Sequence, residues 1–313
     1  MSTVSLFNIS LFVFLTSCFT DYSVLDRQED TDRTVQNETD NDVDTEDTNS
    51  QVGSVEPTGL IGGVIQLGYT YTPCVDCFIG VQQVDSFAAA SFHTPQGRSW
   101  YEWIPQVGMC STPSGPNMNP YMYYDVGNTI QLNSTSVSSR MNRSIESGRT
   151  VYKSGQLGSV GWVSGDEYSL VVGTNSSLSN FELRDIVSAP LPFTHLQPSQ
   201  MFTPDPTYAF SGVLRRSYVN QFSYTPSGDS DLFILTIDVY DETGNYYLGG
   251  VMCTEFDSGA FVMPAGVLAS FPAYSLASVT FYKWRILSGV IPSNGATVEG
   301  VGQYGVVGTA ILQ

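Results

Sequence analysis

Positive charge is the scarcest resource in this 313-residue chain: 12 Lys plus Arg stand against 30 Asp plus Glu, for a formal net charge of −18. With no basic patch to neutralise phosphates, nucleic acid is excluded as a partner. Histidine is almost absent. His93 and His195 are the only two, and both fall among Ser, Thr and Pro, where loops are expected. No G-x-S-x-G elbow accompanies them, so nothing in the sequence specifies a nucleophilic triad. Segments with helical periodicity are also nearly missing; Pro264–Ala269, with proline at a helix start, is the one short candidate. No apolar run approaches the roughly 20 residues needed to cross a bilayer as a helix.

The short apolar run that does exist, Leu6 to Leu15, is followed by Thr16-Ser17-Cys18 and then at once by an acidic tract. An apolar stretch ending in small residues reads as a cleaved export signal. The order Leu15-Thr16-Ser17-Cys18 resembles the lipobox of a bacterial lipoprotein. The resemblance implies cleavage before Cys18, acylation of that residue, and a membrane attachment through the N-terminal lipid. It departs from the pattern in having no Lys or Arg within residues 1–10. Phe19 rather than Asp follows the cysteine, which by analogy implies the outer membrane or cell surface. Ordinary cleavage that releases a soluble secreted protein is the competing reading. Cysteine parity agrees with acylation: of five cysteines, removing Cys18 leaves Cys74, Cys77, Cys110 and Cys253, an even set for an oxidising compartment.

Residues 19–58 hold twelve acidic and two basic residues, a local charge of −10. So little apolar surface cannot offset the entropy of ordering, and a disordered spacer is expected from 18 to 58. Fully extended, it would reach about 130–140 Å.

Past Thr58 the composition becomes rich in Gly, Tyr, Phe, Val, Ser and Thr, with β-forming runs broken by turn residues every 8–12 positions. This predicts an all-β protein of sandwich type. Asp231–Tyr240 and Tyr246–Cys253 form a predicted hairpin around Asp241–Asn245, with Gly244 at the left-handed position. Further strands are expected at Gly127–Leu132, Asp166–Val172, Ser278–Ile286 and Tyr304–Leu312. Five prolines between 188 and 206 predict an extended connector over 189–206. The expected organisation is therefore two immunoglobulin-like β-sandwich domains, 59–188 and 207–313.

Two segments of this body carry a further likeness. Trp162-Val-Ser-Gly-Asp-Glu-Tyr-Ser-Leu-Val-Val172 with Phe181 and Pro190, and Cys253-Thr-Glu-Phe-Asp-Ser-Gly-Ala-Phe-Val-Met-Pro264 with Leu268 and Phe271-Pro272, resemble a plan found in uncharacterised surface lipoproteins of Myxococcota and related deltaproteobacterial lineages. The resemblance implies a secreted β-sandwich and no particular activity.

Several residue groups are candidates for chemistry. Cys74-Val-Asp-Cys77 admits three readings: a redox pair, a zinc site completed by Cys110 and Cys253, or structural disulfides, with one of the pair bridged to Cys110. Asp229, Asp231 and Asp241 flank the 231–253 hairpin. They are candidate calcium ligands or turn residues bonding their own backbone. Aromatics gather at Tyr69/Tyr71, at Trp100, Tyr101 and Trp103, and at 121–124; exposed, these would stack on a glycan or anchor a protein partner. No cofactor is implied. The expected function is non-enzymatic: a cell-envelope lipoprotein presenting β-sandwich domains for binding or structural roles. A secreted β-fold hydrolase acting on polysaccharide, with Glu102 and Asp125 as acid and base, is the alternative.

Overall fold

A computed structural model describes residues 62–72, 83–94, 104–112, 123–146, 148–154, 161–173, 180–202, 212–226 and 228–313. Cys18, the acidic spacer, Cys74, Cys77, Trp100, Tyr101, Glu102 and Trp103 lie outside them.

The protein is all-β, of sandwich type. In chain order the strands are β1 (Gly62–Thr72), β2 (Gln83–His93), β3 (Met109–Ser111), β4 (Thr129–Asn133), β5 (Ser138–Glu146), β6 (Arg149–Ser154), β7 (Glu167–Val172), β8 (Phe181–Ser188), β9 (Thr194–Gln197), β10 (Gly212–Leu214), β11 (Asn220–Thr225), β12 (Leu232–Tyr240), β13 (Tyr247–Phe256), β14 (Ala260–Met263), β15 (Leu276–Val290) and β16 (Thr297–Leu312). One 13-stranded sheet runs β3-β13-β12-β15-β16-β1-β2-β6-β5-β4-β7-β8, with β10 pairing β16, and a 3-stranded sheet runs β14-β11-β9.

The expected hairpin is β12–β13, and Gly244 in its turn has φ 73°. The other predicted strands are also present. Three expectations fail. Residues 264–269 form turns rather than a helix, with Gly266 at φ 81° interrupting the right-handed path. The 189–206 stretch is not simply a connector: Thr194–Gln197 is β9, which pairs with β11. His93 closes the long strand β2 and His195 lies in β9, so neither histidine is in a loop. The Ala88-Ala89-Ala90 run had hidden β2, because alanine has little strand preference and the strand is made by its full-length pairing with β1.

The sheet does not stop between the two halves of the sequence. β1 pairs in parallel with β16, from Gly63↔Val298 to Tyr71↔Val306. Parallel strands require a long crossover, and here it is everything between Thr72 and Thr297. One apolar cluster is centred on Ile65, Phe92, Leu132, Tyr152 and Leu170; a second holds Phe222, Phe233, Phe281 and Val306. Trp162 packs against both and stacks on Tyr69 with ring centroids 5.6 Å apart.

The sheet bends so that β8 crosses the face of β16. A Cβ built on Gly300 would lie 1.8 Å from the Ile186 carbonyl oxygen, and one on Gly302 would lie 1.8 Å from that of Ser188. The two glycines, two residues apart and therefore on one face, let the layers touch backbone to backbone. At the other end, the small sheet covers β12, β15 and β16 with Phe222 and Phe261, both within 6 Å of the Phe233 or Phe281 ring.

Candidate functional site

Three groupings of polar or exposed side chains stand out among the described residues. The first is buried where the small sheet closes on β15. Strand alternation puts Lys283 on the same face as Val279 and Phe281 (the core face), and its side chain is fully buried. Its Nζ lies 4.9 Å from the Phe193 ring centroid and donates to the Leu191 carbonyl at 3.4 Å. Burial pushes this ammonium below the usual lysine range, while the carboxylates of Asp229 and Asp257 push it back up. Asp229 accepts the Leu191 N–H, and Asp257 accepts the Ser230 hydroxyl. The cation that these carboxylates face is thus a lysine, which clamps the 190–193 strap onto the core.

The proposed calcium ligands are consequently dispersed. Asp231 binds Arg285 Nη1 at 2.9 Å and the Ile286 N–H at 2.7 Å. Asp241 accepts the Thr243 hydroxyl at 2.6 Å and the Asn245 N–H at 2.8 Å. The Thr243 hydroxyl foremost, then backbone N–H groups, hold the Asp241 carboxyl below the usual range, which keeps it ionised in its turn. Among the described residues no group of three His, Cys, Asp or Glu side chains could hold a metal. Turn chemistry accounts for Asp241 alone; Asp229 and Asp231 instead bond Leu191 and the Arg285–Ile286 pair of β15, far away in sequence.

The second grouping lies on the opposite face of the central sheet, which carries buried Gln66, Thr70, Asp85, Thr236, Asp238, Thr280, Tyr282 and Gln303. Burial raises the Asp238 carboxyl to about 7, even though the Tyr247 hydroxyl donates to it at 3.3 Å. Tyr282 is raised by its own burial and by the fields of Asp238 and Asp85. A carboxyl raised in the fold favours the protonated native state. Its stabilising contribution is complete below about pH 4 and is lost as pH rises through about 7. Asp238→Asn should therefore stabilise the protein by about 1–3 kcal/mol at pH 8 and leave it unchanged near pH 4. Urea unfolding at the two pH values tests this; equal effects at both would refute it.

The third grouping is exposed. Tyr246, Tyr274 and Tyr218 keep 72%, 69% and 68% of their surface, and Val219, Tyr247 and Leu248 are also exposed. They come from three separate turns but share one end of the sandwich, because Tyr240 of β12 pairs Leu276 of β15, which pairs Ile311 of β16, while Leu214 of β10 pairs Leu312. Each turn is internally fixed. The Asp241 carboxylate organises 241–246. The Asn220 side chain bonds both the N–H and the carbonyl of Arg215 at 2.8 Å. Arg216 Nη2 donates to the Ala269 carbonyl at 2.9 Å, tying the second turn to the third. Ordered loops rich in Tyr, Ser, Asn and Gly lose little entropy on binding.

The aromatic groups singled out in the sequence do not form this surface. Tyr69 is stacked between Trp162 and Tyr304, each 5.6 Å away. Tyr123 and Tyr124 are half-buried; Trp100, Tyr101 and Trp103 lie outside the described residues. Asp125, the acid–base candidate, forms an ion pair with Arg143 at 3.1 Å and accepts the Tyr152 hydroxyl at 3.1 Å. Cys110 is bonded to Cys253, not to Cys74 or Cys77. That bond also removes two of the four thiolates from the zinc reading. Sequence reasoning missed the tyrosine end because its residues are scattered over 218–274, and missed Lys283, whose alternation with Val279 and Phe281 in the sequence is the signal that could have found it.

No protein-family profile and no curated protein matches this chain.

Proposed function

We propose that this protein is a non-enzymatic lipoprotein of the outer membrane or cell surface, held by lipid on Cys18 and presenting its β-sandwich body for recognition through a glycan or protein contact. The observation that carries the reading is the direction of β1. The chain enters the body at Gly62, beside Thr297 at the start of β16. The tyrosine turns cluster at the far end of that strand, past Leu312. The path along the 16 residues of β16 is about 50 Å at about 3.3 Å per residue. An acidic spacer attached at Gly62 would leave the tyrosine end farthest from the membrane. Two immunoglobulin-like units flanking 189–206 remain part of this proposal: most of each apolar cluster comes from one half, although the β1–β16 pairing joins the halves in one sheet.

Fractionation of cells expressing wild type and Cys18→Ala provides the test. Wild type is expected in the membrane fraction, with an acylated N-terminal Cys18 by mass spectrometry, and the variant in the soluble fraction. A free amine on Cys18, or cleavage at another bond, would end the lipoprotein reading.

A further inference from the structure

The tyrosine end has an ordered distribution of charge as well as of rings. Five neighbouring strands define it: β13, β12, β15, β16 and β10 in that order. At about 4.8 Å per strand the row is about 20 Å wide. The β12–β13 turn on one side carries Asp241 and the exposed Glu242 beside Tyr246. The turn after β10, on the other side, carries the exposed Arg215 and the half-buried Arg216 beside Tyr218. Between them, Tyr274 precedes β15, its N–H bonded to the Leu312 carbonyl at 2.8 Å. The order across the end is acidic turn, tyrosine, basic turn.

We propose that this end is a self-complementary interface through which two copies of the chain meet end to end. A two-fold axis lying in the contact plane, perpendicular to the row and passing near Tyr274, exchanges left for right. It sets the acidic turn of each copy against the basic turn of the other, and Tyr274 against its own copy. This is the condition for an isologous contact. Tyrosine and arginine are the residues enriched at the centres of such contacts. The partner is a second copy because each copy offers both an acidic turn and a basic turn, in the order that the other needs opposite it; the net charge of −8 on the body opposes the approach. Long-range repulsion between the two bodies is screened beyond about 8–10 Å, whereas the turn-to-turn pairs lie within contact range. The proposal deepens the recognition role proposed above and rests on it for orientation only. With both copies tethered at Gly62, the contact would join opposing membranes.

Sedimentation equilibrium on the full chain carrying Cys18→Ala, which has no acyl group to drive association, tests the interface separately from the anchor. A reversible dimer is expected. Arg215→Glu and Glu242→Arg should each weaken it about tenfold or more by opposing like charges. The double variant Arg215→Glu/Glu242→Arg should return it to within about threefold of the parent, since the swapped charges again face each other. Tyr274→Ser should weaken the dimer without changing the thermal unfolding midpoint. A monomer at all concentrations up to about 0.5 mM, a dimer indifferent to the single reversals, or a double variant no tighter than the singles would overturn the proposal.

Discussion

Gly302→Ala is expected to destabilise the protein by at least about 3 kcal/mol, and Gly300→Ala by a similar amount. In each case the new methyl group would sit 1.8 Å from a carbonyl oxygen of β8, well inside van der Waals contact. The obstacle is backbone, so no rotamer change relieves it; β8 must lift from β16. That movement would open the layer contact around Ile186 and Val187, both buried in the first apolar cluster. Overpacking of a well-filled interior costs about 1–3 kcal/mol where side chains can adjust, and here they cannot. Gly173→Ala is the control. Among the described residues nothing lies within 4 Å of its Cβ position, and its φ is not in the left-handed region, so its effect should stay within about 0.5 kcal/mol. Equilibrium denaturation of the three variants gives the comparison. If Gly302→Ala is no worse than Gly173→Ala, the layers are not packed as described.

Removing the Cys110–Cys253 bond should have an effect of the same order. The bond joins residues 143 apart in sequence, and closing a loop of that length lowers the entropy of the unfolded chain by an amount worth about 4–5 kcal/mol. It is also what secures β3, a strand of only three residues at the sheet's edge, to β13. Cys110→Ala/Cys253→Ala is therefore expected to lower stability by about 4 kcal/mol, or the melting temperature by about 8–16 °C for a body of this size. Calorimetry of the variant and of reduced wild type measures the loss. A melting temperature within about 2 °C of the oxidised wild type in either sample would show that the bond contributes little.

The legible parts of the fold were those whose signals are local. The β12–β13 hairpin could be read because nine strand residues lead into Asp-Glu-Thr-Gly-Asn, a turn whose geometry requires a left-handed residue that Gly244 supplies. β16 was only half legible. Tyr304–Leu312 reads as a strand, but Gly300 and Gly302 look like breaks in one; their purpose is a contact with β8, more than 100 residues earlier. His93 was misassigned for a related reason: β2 is made by pairing with β1 rather than by its own composition. The turn aspartates were visible as oxygen donors. What was not visible was that Lys283, arriving from β15, is the cation facing Asp229 and Asp257.

By itself, the amino-acid order determined the class of the protein: all-β, acidic, with strands set by alternation and turns set by Gly, Asn and Asp, since these depend on neighbours a few residues apart. Tertiary structure alone decided which thiols join, which aromatics are buried, and that the entry point at Gly62 and the tyrosines at 218, 246 and 274 lie at opposite ends. The disulfide follows from the pairing of β3 with β13, and the placing of Gly62 from that of β1 with β16, a choice made between strands more than 200 residues apart. No local pattern encodes such a choice.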